Sequence, residues 1–260
     1  MKPRKFFSVL LIVFSFMFYN VLYAQQEDQL TQVATIDALL AGAYDGIMNN
    51  EELLHYGDFG LGTFDKLNGE MIIYGGHIYQ AKSDGSVVLN DTASTPFAVI
   101  VNFAGDEEVT LNKVDDYKTL QEVISKNIEN KNLPVAVKIK GHFNHVKVRS
   151  VPAQEKPYRP LSEVVKEQEV FGYDNIDGTL IGFVLPEYFK SFNASGFHLH
   201  FLSSDKTKGG HLLDANLNNG TADFDILNKF FVYLPDENSG NFGELNLDKD
   251  RSEELDKVEK

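Results

Sequence analysis

The stretch Gly196-Phe-His-Leu-His-Phe-Leu-Ser-Ser-Asp-Lys-Thr-Lys-Gly-Gly-His-Leu-Leu-Asp214 decides how this chain folds around its chemistry. Alternation from Phe197 to Leu202 predicts a strand with His198 and His200 on one face and Phe197, Leu199 and Phe201 packed behind. Ser203 to Gly210 is polar, charged and Gly-ended, the composition of a hairpin loop, and its return brings His211 level with the first two histidines. Three converging neutral imidazoles are the ligand set of a catalytic zinc site, where substrate or water takes the remaining position; structural sites close all four, commonly with Cys. This chain has no Cys. A His-x-His pair alone is more often two half-buried histidines. Three of the seven histidines within fourteen positions shift the balance to metal.

Outward from the hairpin, the chain is strand-rich. Leu61 to Phe64, Glu70 to Tyr74, His77 to Ala81, Ser86 to Asn90 and Phe97 to Phe103 are short β-type runs divided by Asn-Gly, Gly-Gly, Asp-Gly and Thr-Pro turns. Val135 to His142, His145 to Val151 and Gly178 to Pro186 continue the pattern, and Phe224 to Leu234 is apolar and partly alternating. Helical spacing marks Thr31 to Tyr44, Asp116 to Lys131 and the short Ser162 to Glu169. The expected architecture is α+β (mixed α/β), sheet-dominated and two-lobed: a mixed-sheet lobe over 25–185 and a lobe over 186–260 carrying the histidine hairpin and the tail. The glycines of Gly57-Asp-Phe-Gly-Leu-Gly62 are followed by no Lys-Ser/Thr and line a turn, not a phosphate. By composition alone the acidic end, Asp248 to Lys260, reads as a solvated helix or frayed tail.

At 260 residues and 43% hydrophobic, the chain can bury a sizeable core. A formal charge of -14 argues against nucleic acid or an anionic membrane as partner. Lys2, Arg4 and Lys5 precede an apolar run from Phe6 to Tyr23, and Ala24 before Gln25-Gln26-Glu27-Asp28 has the small residue and polar step of a signal-peptidase site. Residues 1–24 are therefore expected to be a signal peptide, with a retained transmembrane anchor as the alternative, and the domain is expected to be exported, periplasmic or secreted. Without Cys there is neither a lipidated anchor nor a disulfide, so an exported fold has to rest on its core.

Several separated blocks, in order, carry a resemblance: GLGTFDKLNGEM (60–71), Thr95-Pro96-Phe97, VRSVPAQEKPYRPL (148–161), the histidine hairpin (196–214) and LDKVE (255–259). Together they resemble the acetolactate decarboxylases, which convert 2-acetolactate to acetoin and carbon dioxide. The resemblance implies metal ligation by His198, His200 and His211, with Zn²⁺ as the cofactor, and active-site roles for Glu70, Thr63, Arg149 and Glu259. The tail would then fold back over the metal, with Glu253 and Glu254 as competing positions for its glutamate. The implied chemistry is Lewis-acid stabilisation of an enediolate, with Arg149 gripping the oxygen-rich substrate and the two glutamates tuning the metal and handling the proton. The expected partner is a small-molecule substrate, with no nucleic acid and no membrane after processing; a homodimer is compatible with these features. A metal-dependent hydrolase on the same histidines, with Glu70 as base, and a non-catalytic hydroxy-acid-binding protein are the competing classes.

Overall fold

The computed structural model describes residues 28–237 and 239–259. Two sheets dominate it. The first has seven strands: β1 (Gln29–Val33), β3 (Phe59–Thr63), β4 (Glu70–Tyr74), β5 (His77–Ala81), β6 (Val87–Leu89), β8 (Ala98–Val101) and β14 (Lys229–Tyr233). Their order is β14-β1-β8-β3-β4-β5-β6, with β1 parallel to β14 and the other pairs antiparallel. The second sheet has five: β9 (Glu107–Val114), β10 (Val135–Ser150), β11 (Glu169–Leu185), β12 (Gly196–Ser203) and β13 (Gly209–Ile226). Its order is β10-β11-β12-β13-β9, and β10 also pairs with β13, which curls the sheet back on itself. A two-stranded ribbon, β2 (Met48–Asn49) with β7 (Ser94–Thr95), completes the strands.

The helices are short. They are α1 (Ile36–Leu40), α2 (Asn50–Leu53), α3 (Tyr117–Asn127), α4 (Leu161–Val164) and α5 (Ser252–Glu259). Among the described residues no helix is long and apolar enough to cross a membrane, and residues 1–24, expected as a signal peptide, lie outside the described residues.

The largest core cluster sits between the sheets. Leu61, Ile72 and Val99 of the first face Ala136, Ile181 and Leu202 of the second, and Leu161, Val164, Leu255 and Val258 close the side. A fully buried aliphatic side chain such as Ile72 contributes about 1.5–3 kcal/mol by leaving water, so this seam fixes the distance between the sheets.

The sheet-dominated α+β reading matches this architecture, with local differences. The helix expected over Thr31 to Tyr44 is shorter: residues 29–33 form β1, and the helix starts only after Thr35, whose hydroxyl caps Ala38 N at 3.2 Å. Pairing with β8 and β14 on both edges and burial of Leu30 and Val33 outweigh the helical spacing. The two strands expected around His142 and His145 are one strand, β10, with register shifts between those residues. The charged strand β9 has no alternation that would predict it: Glu107, Glu108, Asn112 and Lys113 face solvent, and pairing with β13 makes it a strand. β10 and β11, placed by sequence in the 25–185 lobe, share a sheet with the histidine hairpin, because the long antiparallel pairing of 135–150 with 169–185 continues directly into β12.

Candidate metal centre and active site

The hairpin β12–β13 brings His200 opposite His211, and His198 lies two residues along the same face of β12. Leu199 and Phe201 pack into the core behind them, with Phe197 at its edge. The three imidazole centroids are 5.1–5.3 Å apart, and one ring nitrogen from each lies within 4.8 Å of the others. Gly210 makes the return possible: its φ is +148°, and a Cβ there would meet the Arg149 carbonyl oxygen at 2.6 Å.

Glu70 comes from the other sheet. The Asn68-Gly69 turn presents it at the start of β4, and Gly69 at φ +83° leaves no room for a Cβ, which would stand 2.4 Å from the Ala81 carbonyl oxygen. The Thr63 hydroxyl donates to the Gly69 carbonyl at 2.8 Å, and Thr63 is the register partner of Glu70. Thr63 thus lines the site and also holds the turn that aims Glu70. The Glu70 carboxylate reaches to 3.7 Å from His200 Nε2. The neighbouring Met71 carbonyl lies 2.8 Å from His200 Nδ1, which places the proton on Nδ1 and turns the Nε2 lone pair toward the site.

The tail delivers Glu259. Leu255 and Val258 are buried in the core between the sheets, and with Glu259 they share one face of α5 by i, i+3, i+4 spacing. Arg251 ties the helix start down, donating to the Asn246 carbonyl at 2.7 Å. Glu259 Oε2 stands 3.9 Å from Nε2 of both His198 and His211. Glu253 and Glu254 face away: Glu254 pairs with Lys249 and Arg251, and Glu253 is not among the cavity residues. Arg149, on β10 opposite His211, is 5% exposed and lines the same cavity.

Burial sets the electrostatics. It pushes Glu70 and Glu259 up to about 7, partly opposed in both by the Arg149 guanidinium, with Glu259 adding to the rise at Glu70. Burial, with Arg149 second, lowers His198 to about 3, and burial first among several causes drives His200 and His211 well below their ordinary value. The imidazoles are therefore neutral, as metal ligands must be. The Nε2 atoms of His198, His200 and His211 face the Glu70 and Glu259 carboxylates at 3.7–3.9 Å, and His200 Nε2 and Glu259 Oε2 are buried without a hydrogen-bond partner among the described residues. Unsatisfied buried acceptors converging with two carboxylates are the donor set of a divalent cation. The residues fit a metal. The adjoining cavity of about 40 Å³ is walled by apolar side chains to which sequence reasoning gave no role, among them Leu39, Leu67, Phe97, Leu161 and Val165. They come from four segments far apart in sequence.

A family model described as alpha-acetolactate decarboxylase matches residues 30–249. The chain belongs to that family. An alpha-acetolactate decarboxylase of Methanosarcina mazei is 45% identical over 90% of this chain and 81% of its own length, and one of Methylococcus capsulatus is 40% identical over 90% of each. The crystal structure of alpha-acetolactate decarboxylase from Bacillus subtilis strain 168 superposes with a TM-score of 0.85 at 35% identity, covering 89% of this chain and 99% of that one. The family match stops at residue 249, before α5, and the fold brings Glu259 to the site.

Proposed function

We propose that this protein is a zinc-dependent acetolactate decarboxylase that releases acetoin and carbon dioxide, and that it acts after export. The observation that carries the reading is the convergence of His198, His200 and His211 with Glu70 and Glu259 in one buried pocket beside Arg149. His198, His200 and His211 would hold the cation, with Glu70 or Glu259 able to join them. When bound, the cation supplies a Lewis acid for the enediolate charge that loss of carbon dioxide leaves on the hydroxyl and ketone oxygens. Three imidazoles with oxygen donors suit zinc.

The chain's own groups do the rest. Arg149 offers a planar fork to the substrate carboxylate before it departs. The apolar walls keep bulk water away while the carbon that lost the carboxylate is electron-rich. That carbon needs a proton, and Glu70 and Glu259 are the two carboxyl groups in the cavity placed to deliver one.

The test is incubation of purified protein with racemic acetolactate, with and without chelator, following acetoin. Acetoin release that chelator abolishes and zinc restores is the expected result. No acetoin from zinc-loaded protein would overturn the reading.

A further inference from the structure

Among the described residues Arg149 is the one cation lining the cavity, and the hydrogen bond that holds it is not to a carboxylate. Its Nη1 donates to Gln168 Oε1 at 3.0 Å, while its Nε has no partner among the described residues. Gln168 follows the turn Val165–Glu167 and immediately precedes β11. The same turn handles a second arginine differently. Arg159, at the surface, is gripped by both oxygens of Glu167 at 2.7 and 2.9 Å. Adjacent residues thus give the outer arginine a charged partner and the inner arginine a neutral one.

The difference has a chemical consequence. A carboxylate on Arg149 would fix its fork and also neutralise it, in a pocket where burial magnifies every charge. An amide oxygen fixes the fork with one hydrogen bond and adds no negative charge to that of Glu70 and Glu259, which already face the guanidinium across the cavity. We infer that Gln168 is a positioning residue for substrate recognition: it orients Arg149 as a neutral anchor, so that the guanidinium meets the carboxylate of the incoming substrate without a third carboxylate competing for it. This inference rests on the decarboxylase reading above.

A suitable probe is 2,3-dihydroxy-2-methylbutanoate, the substrate with its ketone reduced, which keeps the carboxylate but has no electron sink and cannot decarboxylate. Calorimetric titration of zinc-loaded protein gives its Kd. Gln168→Leu, which removes the acceptor, and Gln168→Glu, which keeps it but adds charge, are each expected to weaken binding by about tenfold or more, with bound zinc and Tm near wild type. In an Arg149→Met background, where the ligand hydroxyls leave residual affinity, Gln168→Leu is expected to add less than about a twofold loss. Wild-type affinity in Gln168→Glu would overturn the neutral-anchor role. An equal loss with and without Arg149 would reduce Gln168 to packing. If Gln168→Leu fails to fold, the near-isosteric Gln168→Glu carries the test. Wild-type protein that releases no acetoin refutes the functional reading itself, whereas active wild type with an additive cycle refutes only the role of Gln168.

Discussion

Replacing Glu259 by Gln is expected to stabilise the metal-free protein at alkaline pH and to leave it unchanged at acid pH. Burial raises this carboxyl from 4.5 to about 7 in the folded chain. At about 1.4 kcal/mol per pH unit, that displacement corresponds to roughly 3 kcal/mol. The sign follows from proton counting: between 4.5 and 7 the folded state holds a proton that the unfolded state has released, so stability falls as pH rises through that window and stays low above it. An amide at position 259 has the shape of the protonated acid and no proton to lose. Metal-free Glu259→Gln at pH 8.5 is thus expected to be roughly 3 kcal/mol more stable than metal-free wild type, which for a domain of this size is a Tm higher by about 6–12 °C. At pH 4.0 Glu259 is largely protonated in the folded and the unfolded chain alike, and the two melting curves are expected to be within about 2 °C of each other. Zinc reverses the order, because a cation facing the carboxylate favours its charged form. Differential scanning calorimetry of chelator-treated and zinc-loaded samples at both pH values makes the comparison. A metal-free variant that melts below wild type at pH 8.5, or a difference that is the same at both pH values, would refute the placement of Glu259 in a desolvated pocket.

Three further outcomes follow from the same geometry. His198→Ala, His200→Ala and His211→Ala are each expected to lose bound zinc and activity together, and stoichiometric zinc by elemental analysis in the triple variant would sink the ligand assignment. Arg149→Lys keeps a charge but loses the fork that Gln168 orients, so kcat/KM is expected to fall at least about tenfold with zinc content unchanged; wild-type turnover would make the residue structural. Protein recovered from its native host is expected to begin at Gln25 or a close neighbour, and an intact mass that retains Met1 in a membrane fraction would mean an anchor instead.

The histidine hairpin was legible in sequence because it is local: strand alternation, a polar loop and a return need no knowledge of the rest of the chain. The strands from Glu70 to Ala81 were legible for the same reason. β1 was not, since Thr31, Gln32 and Val33 become a strand only through partners about 70 and 200 residues away. Glu259 lay beyond any periodicity argument. Nothing in an acidic run distinguishes it from Glu253 or Glu254 until Leu255 and Val258 are seen to dock and turn that face inward. Gln168 carried no signal at all, because an amide between a short turn and a strand is unremarkable until the guanidinium it anchors is in view.

The parallel pairing of β1 with β14 bears on biosynthesis. Residues 29–33 leave the ribosome before either of their partners, and β8 can cover one of their edges once residue 101 is made. The other edge waits for residues 229–233. At about 5–20 residues per second, the interval is roughly 6–26 s. During it the nascent chain displays an open strand edge lined by Leu30 and Val33, while the whole five-stranded sheet is still emerging. The two sheets therefore reach completion almost together, since β14 follows directly on β13. A holdase that shields the first hundred residues would act on this interval, and a slowed ribosome anywhere between residues 101 and 229 would lengthen the exposure and raise the share of chains lost to aggregation.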